Sequence, residues 1–264
     1  MNALKAHVRN SDWPARLLVS LAVTLVFGAC ITSDPSRPQK KESAATFNVQ
    51  LGVAYLHQGN LPLAKEKLDR AMEEAPRDPS VHSAMALLYD RLDKPQQADE
   101  EFRAALRLGP HDPDVLNNYA VYLCRIGRTD EGVKYFMEAA HNALYNTPAT
   151  AYTNAGVCLR AANRLDAAAQ QFQKALSVRP NYAEAAYQLV DLHFTRHEVT
   201  DARTQLDRYL GAFDATPDLL LIGVRIAREQ GDRLAAERFS RKLRVDFPKT
   251  DQARSLSELD RNPG

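Results

Sequence analysis

Cysteine and histidine are the side chains here whose chemistry depends most on spacing, and the chain carries three of the first and seven of the second. A thiol can be acylated, paired or bound to a metal, and the odd count asks which cysteine stands apart. Cys30 does: it ends an apolar run far from the other two, whereas Cys124 and Cys158 are 34 residues apart in a helical context. His193 and His197 have the i, i+4 spacing of a zinc-protease helix, but Phe194 stands where that motif needs its glutamate. His57, His82, His111 and His141 share no ligand spacing and read as surface or packing residues. Gly-rich phosphate loops, paired-cysteine metal motifs and nucleophile elbows are missing from the sequence. No catalytic residue, metal, cofactor or small-molecule substrate is therefore expected. With 34 Lys plus Arg against 33 Asp plus Glu, no global field recruits nucleic acid.

The setting of Cys30 is a leader. Lys5, Arg9 and Arg16 precede an apolar or small run from Leu17 to Phe27, the n-region and h-region of a signal peptide over residues 1–29. A helix over residues 17–27 is roughly 16 Å long at about 1.5 Å per residue, half of a roughly 30 Å hydrocarbon core, so a permanent span is disfavoured. Phe27-Gly28-Ala29-Cys30 resembles the bacterial lipobox, with Phe27 where leucine is usual, which makes Cys30 the expected acylated N-terminus. A conventional signal peptide with an incidental cysteine is the competing reading. Ile31 in place of aspartate favours the periplasmic face of the outer membrane. Residues 30–44, with Pro35 and Pro38 and no helical stripe, read as the lipidated cysteine followed by a flexible tether of about 20 Å root-mean-square span.

The elements that must position the rest are helices. The chain is 45% hydrophobic and 25% charged, the composition of a folded protein. It has only 11 glycines and no sustained period-two alternation, which argues against a sandwich, barrel or doubly wound sheet. A 34-residue frame recurs over 45–78, 79–112, 113–146, 149–182, 183–216 and 217–250, with Thr147-Pro148 inserted after the third unit. Position 20 is small throughout: Ala64, Ala98, Gly132, Ala168, Ala202 and Ala236. Position 24 is bulky at Leu68, Phe102, Phe136, Phe172 and Leu206, and position 32 is Pro76, Pro110, Pro180 and Pro248. Small residues where two helices cross, a bulky filler and a terminating proline are the pattern of the tetratricopeptide repeat. The fold expected is all-α: a right-handed superhelical solenoid of six helix-turn-helix units. Residues 251–264 read as a polar tail with a short capping helix over Asp251–Leu259.

In such a solenoid the first helix of each unit lines the concave face through positions 2, 5, 9 and 12. In the first unit these are Thr46, Val49, Val53 and Leu56; in the second, Ser80, Ser83, Leu87 and Asp90. Val49, Val53, Leu56 and Leu87 make an apolar strip that suits a peptide or helix of a partner protein, unless the tether or the next unit covers it. Cys124 and Cys158 fall on the first helices of adjacent units, close enough for a bridge in an oxidising compartment; two buried free thiols are the alternative.

The stretches Asn48–Gly59 (NVQLGVAYLHQG), Asn117–Gly127 (NNYAVYLCRIG) and Tyr145–Pro148 followed by Ala151–Cys158 (AYTNAGVC) exceed what the repeat consensus demands. With them the mature chain resembles the type IV pilus biogenesis and stability lipoprotein family (PilF/PilW), pilotins of the outer-membrane secretin. The resemblance implies an adaptor, not an enzyme, anchored through Cys30. Its N-terminal groove would hold the secretin of the type IV pilus system and promote the secretin's outer-membrane localisation and multimerisation. It also implies a bridge between the third and fourth units at Cys124 and Cys158. The rival reading is a repeat lipoprotein that scaffolds other envelope machinery, β-barrel assembly or peptidoglycan enzymes.

Overall fold

The computed structural model describes residues 37–261, with side chains described over 44–258. Cys30 and the residues expected to form a leader, 1–29, lie outside the described residues. The described chain consists of thirteen helices and no strand. They pair as α1(Arg37–His57) with α2(Leu61–Glu74), α3(Pro79–Arg91) with α4(Pro95–Leu108), α5(Pro113–Arg125) with α6(Thr129–His141), and α7(Pro148–Ala161) with α8(Leu165–Val178). The series continues with α9(Ala183–Thr195) and α10(Val199–Leu210), then α11(Pro217–Glu229) and α12(Arg233–Asp246), and ends in α13(Asp251–Arg261), which packs on α11 and α12. This is an all-α tetratricopeptide-repeat solenoid.

The local sequence explains where the helices begin and turn. Pro79, Pro113 and Pro217 open first helices, where the missing amide costs nothing. Asp78, Asp112 and Thr216 cap them, each accepting a bond from a first-turn amide. Position 15 of the frame, in the turn inside each unit, has a left-handed backbone in all six: Gly59, Asp93, Gly127, Asn163, His197 and Gly231. That conformation suits glycine and is tolerated by Asp, Asn and His. The turn thus gives His197 a backbone task unrelated to His193.

The core runs between successive pairs. Leu68, Phe102, Phe136, Phe172 and Leu206 at position 24 are buried, each worth roughly 1.5–3 kcal/mol of apolar transfer. They fit because their partners are small: a methyl at Gly156 would lie 2.4 Å from Phe172 Cε1. Aromatic packing thickens the middle, where Phe102 sits 5.3 Å from Tyr119 and 5.1 Å from Tyr122 between ring centroids. The phenols find partners at its edge, with Tyr122 donating to the Pro95 carbonyl at 2.9 Å.

One expectation is overturned at the N-terminus. α1 starts at Arg37, so 37–44 of the expected flexible tether is helical. Pro38 lies in the first turn, where proline is tolerated, and Gln39 to Ala45 contains good helix formers that run on into the first repeat helix. The two prolines suggested a linker, but Pro38 lies within the helix.

Candidate functional site

The first helices α1, α3, α5 and α7 stand side by side and form a groove of about 870 Å³. Its wall at the first two units includes Val49, Val53, Leu56 and Leu87, all lining the cavity. These four differ in accessibility. Val49, Val53 and Leu87 are partly exposed, whereas Leu56 is 4% exposed and belongs to the cluster of Ala64, Leu68, Ala84, Met85 and Leu88. Leu56 thus acts as core and as floor: it sits late in α1 and leans on α3, so the next repeat covers it.

The groove continues further than those four residues. Val115, Asn117, Asn118 and Val121 of α5 and Asn154 of α7 extend its lining into the third and fourth units. The signal for this lies in position 9 of the frame, which is apolar in four consecutive units as Val53, Leu87, Val121 and Val157 before it becomes Asp191 and Arg225. Val121 and Val157 are both exposed. The asparagines at positions 5 and 6 carry no hydropathy signal, and their role appears only when neighbouring helices are superposed across the groove. Asn118 donates to Ser83 Oγ at 3.2 Å, and Asn154 donates to Asn117 Oδ1 at 3.1 Å. These bonds cross from α5 to α3 and from α7 to α5, so the polar floor is held in place before any ligand arrives. Asp112 and Asp114 stand at the acidic end of the lining, and Arg91 at another edge.

Beside this floor Cys124 of α5 and Cys158 of α7 form a disulfide with Cα atoms 5.6 Å apart. Gly132 makes room for it: a methyl there would lie 2.5 Å from Cys124 Sγ. Ion pairs join the same row of helices, Arg125 with Asp90 and Arg160 with Asp191, the latter at 2.6 Å. The bridge and these pairs fix the spacing of the groove's helices.

The two histidines that shared metal-ligand spacing are not brought together. His197 points outward with its side chain 88% exposed, while His193 Nδ1 lies 2.7 Å from Glu198. His193, Glu198 and Asp201 offer ligand atoms within 4.8 Å of one another, yet Glu198 already pairs with Arg196 at 2.9 Å. His82 is similarly occupied in joining α3 to Glu101 of α4 and to the Pro76 carbonyl.

Residues 113–181 and 159–221 match the tetratricopeptide repeat family. The chain is 30% identical over 238 residues to the type IV pilus assembly protein PilF of Pseudomonas aeruginosa, covering 89% of this chain and 94% of the relative. The chain belongs to the PilF family of type IV pilus biogenesis proteins. A solved structure of the Pseudomonas aeruginosa PilF superposes with a TM-score of 0.61 at 28% identity, over 83% of this chain and 99% of that one. The crystal structure of PilW, a widely conserved type IV pilus biogenesis factor, shares the fold with a TM-score of 0.62 at 24% identity, over 80% of this chain and 97% of that one.

Proposed function

We propose that the protein is the pilotin of a type IV pilus system. In this reading Cys30 is acylated and holds the chain at the periplasmic face of the outer membrane, and the groove binds the secretin and brings it there to multimerise. The observation that carries the reading is the groove itself: an apolar wall at Val49, Val53 and Leu87 above an ordered amide floor, in a chain of the PilF family. Apolar contacts supply affinity and fixed amides supply register, a combination suited to a protein segment and requiring no chemical step. Acylation suits the delivery role, because two or more acyl chains make release from a membrane rare at about 0.8 kcal/mol per buried methylene.

The test is secretin multimer abundance and membrane location in cells carrying wild type, Cys30→Ala, or Val49→Asp with Val53→Asp. The groove pair avoids Leu56, whose replacement by a charge would damage the core. Loss of multimers with the groove variant, at normal protein level and fold, supports the reading, as does their mislocation with Cys30→Ala. Normal outer-membrane multimers in a strain lacking the protein overturn it and favour a scaffold for other envelope machinery.

A further inference from the structure

α12 presents an outward face that the repeat does not ask for. Position 18 of the frame is Pro62, Gln96, Asp130, Asp166 and Thr200 in the first five units but Leu234 in the last; position 29 is Glu73, Arg107, His141, Ser177 and Gly211, then Val245. Both positions are exposed in all six units, so burial does not explain the change. Leu234 is 82% exposed and Val245 71%. They lie on one stripe of the helix, i and i+11, about 16 Å apart at the helical rise. Between them on that stripe stand Arg238 and Arg241, at i+4 and i+7, with Lys242 alongside. α12 carries five Lys or Arg against two carboxylates, whereas none of the second helices of the other units has more cations than carboxylates. The two carboxylates, Glu237 and Asp246, pair with Arg241 and Lys242 at 3.0 and 2.7 Å, and both pairs are solvated. Arg238 lies over the Phe239 ring, 5.4 Å from its centroid, which steadies its guanidinium at the surface.

We infer that the outer face of α12 is a docking surface for anionic phospholipid headgroups. Protruding apolar side chains flanked by cations are what an interfacial helix needs: the apolar tips enter the headgroup boundary while the guanidinium and ammonium groups meet phosphate. The charge excess decides between occupants. A second copy laid antiparallel on α12 would set Arg238 of each chain near Arg241 of the other, and although Glu237 would then face Lys242, five cations against two carboxylates on each helix leave a net repulsion, whereas a surface of phosphates complements that excess. The cations also extend past the stripe to Lys249, just after the helix.

The experiment uses the chain from Ile31 onward, which keeps every core cluster of the solenoid and lacks both the leader and Cys30, so its outcome is independent of the acylation reading. Co-sedimentation is measured with vesicles of phosphatidylcholine alone and with equal parts phosphatidylglycerol, at about 0.1 M and about 0.5 M salt. Wild type is expected to bind only the anionic vesicles and to lose most of that binding at the higher salt. Arg238→Glu with Arg241→Glu is expected to weaken binding at least about tenfold, and Leu234→Ser with Val245→Ser to weaken it several-fold, both with unchanged circular dichroism and melting. Equal binding by wild type and the charge-reversal variant overturns the inference, as does failure of wild type to bind anionic vesicles. A dimer in sedimentation that Leu234→Ser disperses, without vesicle binding, also overturns it and assigns the face to a second copy.

Discussion

Gly132 and Gly156 are residues at which the solenoid tolerates little change. A Cβ at Gly132 would meet Cys124 Sγ and, at 2.9 Å, the Ala120 carbonyl; one at Gly156 would meet the Phe172 ring on three atoms. Backbone and a buried ring cannot swing aside, so Gly156→Ala is expected to cost about 1–3 kcal/mol, read as a fall in the urea midpoint. The turn at position 15 has the opposite sign. His197 holds a left-handed backbone, and its largely exposed imidazole approaches Glu229 only to 4.0 Å, so His197→Gly relieves the conformation at the loss of a solvated contact and is expected to raise stability by roughly 0.5–1 kcal/mol. A loss of stability on that substitution would show that the imidazole makes a contact worth more than the strain. The left-handed turn was not legible from His197, because Asp, Asn and His mark such a site only weakly, whereas Gly59, Gly127 and Gly231 in the same register mark it well.

Among the elements, the row of first helices α3, α5, α7 and α9 is tied by contacts that run from one unit to the next. Arg125 to Asp90, Asn118 to Ser83, Asn154 to Asn117 and Arg160 to Asp191 all join neighbouring first helices. The Cys124–Cys158 disulfide lies within this row and is covalent, so it limits how far α5 and α7 slide apart. Reducing it should lower stability by about 3–4 kcal/mol on the chain-entropy account of a loop of this length. The check is thermal melting with and without reductant, alongside the Cys124→Ala, Cys158→Ala double variant. An unchanged melting temperature in both would show that packing alone holds the pair of helices. The helix α1 makes a related point: its start at Arg37 followed from good helix formers joined to a repeat helix, a continuity that the two nearby prolines masked in the sequence.

At the scale of the whole molecule, burial has pushed the phenols of Tyr119, Tyr122, Tyr145, Tyr187 and Tyr209 above their ordinary values. A group whose folded pKa is raised binds its proton more tightly in the native state, so its contribution is complete below the unfolded value near 10 and fades as pH rises through the folded value. Five such groups distributed along the solenoid predict a steep loss of stability above about pH 10. Denaturant midpoints across that range test it. Tyr119→Phe with Tyr122→Phe should flatten the alkaline limb, and an unaltered limb in that variant would place its origin elsewhere.

The period of 34, the small residues at position 20 and the bulky residues at position 24 determined the solenoid from the sequence alone, because each is a local requirement of one helix crossing another. The family resemblance was legible for the same reason: it rested on contiguous stretches around Asn48, Asn117 and Tyr145. What tertiary structure decided is accessibility, which no single repeat contains. Val53 and Leu56 are equivalent by hydropathy and share a stripe, yet Leu56 is closed over by α3 while Val53 stays at the groove wall. Asn117 and Asn154 became a floor only when α5 and α7 were set side by side, and Leu234 and Val245 fall on the outward face that every second helix leaves exposed in the assembled array. Helix identity is fixed within a unit, but exposure is fixed by the neighbour, and the neighbour's position is a property of the assembled array.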